Sequence, residues 1–194
     1  RDSSVTGVQT CALPICLVNL LETIPQTPLW SGHLHIAMAP TKNMDRMEWL
    51  SEKATEIGFD SISFLACKNS ERRVVKTERI EKIIVSAVKQ SHKAWMPEIR
   101  EICSFSSFIR QPFNGQKFIA HCWELPSELP FLGDVLSPDS PSLILIGPEG
   151  DFSQDEVREA VAQGFQPISL GESRLRTETA ALVAVHLANL AKRC

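Results

Sequence analysis

The sequence predicts an α/β fold in which a mostly parallel sheet is flanked by helices. From residue 33 onward, short apolar runs of strand length alternate with longer segments in which apolar residues recur at helical spacing. Two of the apolar runs, at 143–146 and 168–170, lead directly into loops that contain glycine. Open parallel sheets bind ligands where the carboxyl ends of their strands meet such loops. We therefore expect a ligand site at these two loops.

Length and composition favour one medium-sized domain, or a domain with a fragment of another. The chain has 194 residues, of which 43% are hydrophobic, and this is enough to form a core. No apolar run reaches the roughly 18 residues that a membrane helix needs. The six cysteines are scattered without a CxxC pair, and the five histidines are scattered as well. These patterns predict a cytoplasmic protein without a metal site or a membrane partner.

The first third of the chain contains two predicted strands and a helix between them. The strands are expected at 33–39 and 60–67. Asn43 is suited to cap the helix, and Gly58 is suited to end it. The apolar face of this helix is formed by Met47, Leu50, Ala54 and Ile57.

A basic strip follows in the segment 68–100. It contains nine basic and four acidic residues, although the whole chain has a net charge of −3. A helix is predicted there from Thr77 to about Trp95, ended by Pro97. A local basic strip can bind RNA phosphates, and the alternative is an ordinary solvated helix face. The candidate RNA-binding residues are Arg72, Arg73, Lys76, Lys89 and Lys93.

The second half of the chain continues the alternation. Strands are expected at 117–121 and 143–146, with a surface loop at 134–142 between them. A capping box of Ser153 and Glu156 opens a helix whose apolar face is Val157, Ala160 and Val161, and Gly164 ends it. A last helix, from Thr177 to about Lys192, is apolar nearly all round, which predicts burial on most sides and a second subunit as its cover.

The loop at 147–150 reads Gly-Pro-Glu-Gly. It has neither the spacing of a Walker phosphate loop nor that of a dinucleotide fingerprint. Pro148 fixes its own φ, and the glycines permit a close backbone approach, so a stiff loop can offer main-chain groups to a ligand. Glu149 disfavours a polyphosphate and is compatible with a cationic ligand. The alternative is a simple strand-to-helix turn.

Four stretches carry a resemblance to a known family. They read IAMAPTKNMDRMEWLSEKATEIG, ERIEKIIVSAVKQSHKAWMPEI, LILIGPEGDFSQDEV and LGESRLRTETAAL. The sequence closely resembles the RsmE family of 16S rRNA (uracil N3)-methyltransferases in the SPOUT superfamily. The resemblance implies a deep trefoil knot, S-adenosyl-L-methionine as methyl donor, a specific uridine of 16S rRNA in the small ribosomal subunit as substrate, and a homodimer.

The resemblance also suggests a domain organisation. The family has an N-terminal RNA-binding barrel of PUA-like type, for which this sequence has too few residues. We interpret 1–16 as an unassigned leader of artefactual origin, because it matches no targeting signal and lacks an initiator methionine. Residues 17–31 are interpreted as a remnant or linker of the truncated barrel, and 32–194 as the methyltransferase domain.

The resemblance assigns the donor site to the main chain around 145–150 and 170–175. His121, at the end of a predicted strand, is expected to line the same pocket. The predicted donor-binding residues are His121, Leu145, Gly147, Pro148, Glu149, Gly150, Leu170, Gly171, Leu175 and Thr179.

Arg176 and Glu178 are the predicted catalytic residues. Methylation of a uracil N3–H requires loss of a proton, which the Glu178 carboxylate could accept. Arg176 could hold an RNA phosphate or stabilise charge on a uracil oxygen. The alternative for the pair is helix capping with an ion pair. At the level of function, the rival is a catalytically silent SPOUT-like module that only binds RNA.

Overall fold

The computed structural model describes residues 19–26, 32–123 and 128–191. The leader predicted at 1–16 lies outside the described residues, as do 17–18 and 27–31 of the predicted linker, so both assignments stay predictions. The strands are β1 (Leu34–Met38), β2 (Ser61–Ala66), β3 (Glu98–Ser104), β4 (Gln116–Ala120), β5 (Ser142–Ile146) and β6 (Gln166–Ile168). The helices are α1 (Met44–Ile57), α2 (Thr77–Gln90), α3 (Phe105–Ile109), α4 (Leu132–Val135), α5 (Gln154–Ala162) and α6 (Thr177–Ala191).

The six strands form one sheet in the order β3-β2-β1-β5-β4-β6, and every pair is parallel. This confirms the predicted α/β fold with a parallel sheet flanked by helices. Strands β1 and β5 lie at the centre and are buried along their whole length. The trefoil knot implied by the resemblance stays a prediction.

Helices cover both faces of the sheet. Alternate residues of β5 point to opposite sides, so Ile144 and Ile146 pack in one core and Leu143 and Leu145 in the other. The first core includes buried residues of α1, α2, α4 and α6, and the second includes buried residues of α3 and α5. None of the helices in the described ranges is long and apolar enough to cross a membrane.

The predicted helix caps are confirmed at α1 and α5. The Asn43 side chain accepts a hydrogen bond from the Asp45 backbone N–H, and Gly58 follows α1 with a φ of 131°. At α5, Ser153 and Glu156 form the complete capping box. Val161, however, was wrongly placed on the apolar face of α5, because its side chain is 46% exposed.

Helix α2 is shorter than predicted and ends at Gln90. His92 adopts a φ of 54°, the His92 N–H donates to the Lys89 carbonyl, and the Lys93 N–H donates to the Val88 carbonyl. This is a Schellman motif, which ends a helix by satisfying its last carbonyl groups. The Schellman motif therefore ends the helix, and not Pro97 as predicted.

Three elements were not predicted: β3, α3 and α4. The predicted loop at 134–142 is shorter than expected, because Asp134 and Val135 belong to α4 and Ser142 begins β5. Strand β3 is an edge strand with mostly exposed or half-buried residues, so it lacks the apolar run of a central strand.

Candidate active site

A cavity of about 740 Å³ lies where the carboxyl ends of β4, β5 and β6 meet the start of α6. Strand β4 lies between β5 and β6 in the sheet, so the two predicted loops approach each other across its end. This position matches the expectation that the site forms at the ends of parallel strands. The lining comprises Arg46, Ala120, His121, Cys122, Leu129, Ile146, Gly147, Pro148, Glu149, Asp151, Ile168, Ser169, Leu170, Gly171, Glu172, Ser173, Arg174, Leu175, Arg176, Thr177 and Ala180.

The loop after β5 is held by contacts from other elements. The Glu149 carboxylate accepts a hydrogen bond from the Lys42 backbone N–H at 3.1 Å. The Asn69 side-chain amide donates to the carbonyls of Gly150 and Asp151 at 3.2 and 3.1 Å. A Cβ atom at Gly147 would lie only 3.1 Å from the Phe152 backbone nitrogen. The loop is therefore both fixed and too tightly packed for a side chain at Gly147.

Asp151 joins this loop to the end of β4. It adopts a φ of 62°, and its two carboxylate oxygens accept hydrogen bonds from the backbone N–H groups of Cys122 and Phe152, both at 2.8 Å. The Trp123 indole N–H donates to the Phe152 carbonyl at 2.6 Å. Asp151 was not predicted as a site residue, because its backbone conformation and its contact with Cys122 have no signal in the linear pattern.

The loop after β6 is built differently. Ser169 pairs with Phe131 in an isolated parallel bridge, and its hydroxyl accepts a hydrogen bond from the Gly171 N–H at 3.1 Å. Gly171 has a φ of 116°, and a Cβ atom there would meet nothing within 4 Å. Glycine is needed at this position for its backbone conformation and not for space.

The cavity brings together most of the predicted site residues. Those in its lining are His121, Gly147, Pro148, Glu149, Leu170, Gly171, Leu175 and Arg176. Leu145, Gly150, Thr179 and Glu178 are outside the lining. Leu145 is fully buried in the core on the α3 and α5 side, and Glu178 is buried in the first turn of α6.

Arg46 is a lining residue that was not predicted from the sequence. It lies in the first turn of α1, and its Nε atom is 3.6 Å from Glu178 Oε1. The side chain of Glu178 is 8% exposed and that of Arg46 is 36% exposed. The Glu178 side chain is thus buried, while Arg46 is partly exposed and lines the cavity. Residues so far apart in sequence give no local pattern that predicts their contact.

The predicted RNA-binding residues have different surroundings. The Arg72 guanidinium donates to the backbone carbonyls of Thr41 and Lys42, and Lys93 Nζ donates to the Glu56 carbonyl at 2.8 Å. Burial lowers the pKa of Lys93. Both side chains therefore stabilise the ends of α1. The other three, Arg73, Lys76 and Lys89, are exposed.

Charges of both signs line the cavity. Glu149, Asp151 and Glu172 contribute carboxylates, while Arg46, Arg174 and Arg176 contribute guanidinium groups. Across the part of the chain that the structure describes, no group of three or more His, Cys, Asp or Glu residues could hold a metal ion. The site can therefore bind a ligand that carries both cationic and anionic groups.

Known proteins resemble this chain in sequence and in structure. A family model described as "RNA methyltransferase domain" matches residues 28–189. Ribosomal RNA small subunit methyltransferase E of Synechocystis is 30% identical over 174 residues, which cover 86% of this chain and 56% of that protein. The chain thus spans little more than half the length of this relative.

Solved structures of RNA methyltransferases also resemble this chain. A protein from Porphyromonas gingivalis, named a "probable rRNA-methyltransferase", is 46% identical with a TM-score of 0.80, covering 86% of this chain and 70% of that one. A second structure is that of ribosomal RNA small subunit methyltransferase E from Neisseria gonorrhoeae bound to S-adenosyl methionine. It is 28% identical to this chain with a TM-score of 0.70, and the match covers 79% of this chain and 63% of that one. Sequence and fold lead to one conclusion: the chain belongs to the RNA methyltransferase domain family.

Proposed function

We propose that this chain is the catalytic part of a cytoplasmic, homodimeric enzyme that transfers a methyl group from S-adenosyl-L-methionine to N3 of a specific uridine in 16S rRNA. The observation that carries the proposal is the cavity at the ends of β4, β5 and β6, because residues of the two predicted loops, 147–151 and 169–176, form much of its lining. The names of the relatives, and the donor bound in the Neisseria structure, support this activity.

The cavity fits the donor in size and chemistry. A volume of about 740 Å³ is in the range typical of small-molecule sites. The sulfonium and ammonium groups of the donor are cationic, and Glu149, Asp151 and Glu172 offer carboxylates in the lining. A Cβ atom at Gly147 would lie 3.1 Å from Phe152, so the shape of this part of the lining requires glycine. When bound, the donor supplies an electrophilic methyl group for direct displacement.

The protein contributes positioning and proton removal. Holding the two reactants in line can account for a large part of the rate of such a displacement. Arg176 lines the cavity and is exposed, so it is available to a phosphate or to a uracil oxygen. Glu178 has two candidate roles, as acceptor of the N3 proton or as an anchor for Arg46.

Exposed Arg73, Lys76 and Lys89 are candidates for contacts with RNA phosphates. The relatives are longer than this chain, and we propose that a PUA-like RNA-binding domain accounts for part of the difference. The proposed donor cavity is lined by residues that the structure describes, so we expect donor binding without that domain.

Donor binding and RNA modification test the proposal separately. Calorimetry should detect binding of S-adenosyl-L-methionine by this chain. Mass spectrometry of small-subunit RNA, after incubation with labelled donor, should find a methyl group on N3 of one uridine. Because this chain spans 56% of the Synechocystis relative, we expect slow modification compared with a version that includes the family's N-terminal domain. RNA binding without donor binding would support the rival silent module instead.

A further inference from the structure

The ion pair between Arg46 and Glu178 is arranged asymmetrically. Glu178 Oε1 is near the Nε atom of Arg46, at 3.6 Å. Within the described residues, Glu178 Oε2 has no hydrogen-bond partner, and the Arg46 side chain forms no hydrogen bond. The terminal Nη groups of Arg46 therefore remain available for a further contact, and Arg46 lines the cavity.

Burial explains why Glu178 needs Arg46. A buried carboxylate is costly unless a cation or hydrogen-bond donors compensate for the lost water. Arg46 is the cationic side chain within ion-pair distance of Glu178 in the described part of the chain. Glu178 in turn restricts the orientation of a long and otherwise mobile guanidinium group.

We propose that Arg46 binds the carboxylate of the donor's amino-acid moiety and that Glu178 positions Arg46 for this contact. The guanidinium group is a planar fork of five N–H donors that matches a carboxylate with two parallel hydrogen bonds. A carboxylate is the only anionic group of S-adenosyl-L-methionine. The inference rests on the proposed function, because it assumes that the cavity binds this donor.

This assignment gives Glu178 a role other than proton acceptor. Glu178 is absent from the cavity lining, whereas its neighbour Thr177 and its partner Arg46 are present. A group that acts only through Arg46 is a positioning residue. Its replacement should then change donor affinity, and the effect should be the same whether or not uracil N3 ionises unaided.

Calorimetry with two ligands tests the contact. S-adenosylhomocysteine carries the amino-acid carboxylate, and 5′-methylthioadenosine lacks it. Arg46→Ala and Glu178→Gln should weaken S-adenosylhomocysteine binding by about tenfold or more and leave 5′-methylthioadenosine binding unchanged. The double variant should be no weaker than Arg46→Ala, because the two residues act as a unit. Arg46→Lys should recover only part of the affinity. Arg158→Ala, on the exposed surface of α5, is the matched control and should bind like the wild type.

The outcomes separate this inference from the proposed function. If the wild-type chain binds neither ligand, the proposed function and the inference both fail. If the wild type binds both but Arg46→Ala remains folded and binds S-adenosylhomocysteine equally well, the inference alone is overturned. Equal weakening for the two ligands, or additive losses in the double variant, also overturn it. So does a Glu178→Gln enzyme with normal donor affinity whose turnover recovers at high pH, since that result identifies a proton acceptor.

Discussion

Gly147 shows at the level of one residue how the backbone shapes the cavity. A Cβ atom there would be 3.1 Å from both Phe152 N and Phe152 Cδ2, and Phe152 is fully buried and cannot move easily. We expect Gly147→Val to abolish donor binding in calorimetry, because the side chain displaces the loop. Unchanged affinity in a folded variant would remove this loop from the site.

Gly171→Ala is the natural comparison for that experiment. The added methyl group meets open space, so only the φ of 116° opposes it. Strain of this kind costs about 1–3 kcal/mol. We therefore expect lower stability in urea unfolding with a smaller loss of donor affinity than at Gly147.

Individual residues also differ in whether their role can be predicted from the sequence. Asn43, Ser153 and Glu156 were predicted correctly, because a helix cap depends on neighbours within one turn. The glycine loops were found because strand ends in a parallel sheet share one edge. Arg46 was missed, because its contact with Glu178 exists only after α1 and α6 have packed together.

At the level of elements, β3 and α2 show a further limit. Ile99 and Ile102 of β3 are three residues apart, which breaks the alternation of a strand, and the pairing with β2 shifts register between Ser63 and Leu65. At α2, His92 takes the left-handed position that glycine usually occupies at a helix end. Neither the irregular strand β3 nor the end of α2 at His92 could be predicted from hydrophobic periodicity or from the positions of glycine.

Helix α5 is stabilised by Glu156 beyond its own capping box. One carboxylate oxygen accepts the Lys68 N–H at 2.7 Å, and the other accepts the Ser153 N–H at 2.8 Å. Glu156→Ala leaves these donors unpaired, so we expect a loss of about 1–3 kcal/mol in the free energy of unfolding. Asp155→Ala, at the preceding and exposed position, should lower the free energy of unfolding by less in the same urea measurement. Equal losses would contradict the bridging role.

Strand β1 carries a buried histidine that should make the fold sensitive to acid. The pKa of His35 is lowered from 6.5 to about 3, mainly by burial and also by the nearby charges of Arg100 and His33, while Glu98 opposes this shift. The unfolded chain binds a proton at this site below about pH 6.5, and the folded chain does not until about pH 3. Stability should therefore fall on acidification through this window, by at most about 1.4 kcal/mol per pH unit.

Urea unfolding between pH 7.5 and 4.5 measures this effect. His35→Gln can still hydrogen-bond with Ser63, the present partner of His35 Nε2 at 2.8 Å, but does not titrate. The variant should lose less stability than the wild type as the pH falls. Parallel curves for the two proteins would show that His35 does not cause the acid sensitivity.

At the level of the whole molecule, α6 is the predicted dimer interface. Its inner face is buried in the core, whereas Val183, His186 and Leu190 lie on the outer face, and Leu190 is 44% exposed. Trp49 is 43% exposed on α1, the helix that packs beside α6. Large apolar side chains on adjacent helices favour a protein partner, and we expect a second copy of the chain.

Sedimentation of charged variants tests this prediction. We expect the unmodified chain to sediment as a dimer and Leu190→Asp to sediment as a monomer or to aggregate, because the interface would then bury an unpaired carboxylate. Val161→Asp is the matched control: Val161 is 46% exposed on α5, which covers the opposite face of the sheet. It should leave the dimer intact. A monomeric unmodified chain would contradict the prediction, and a dimer that survives Leu190→Asp would place the interface elsewhere.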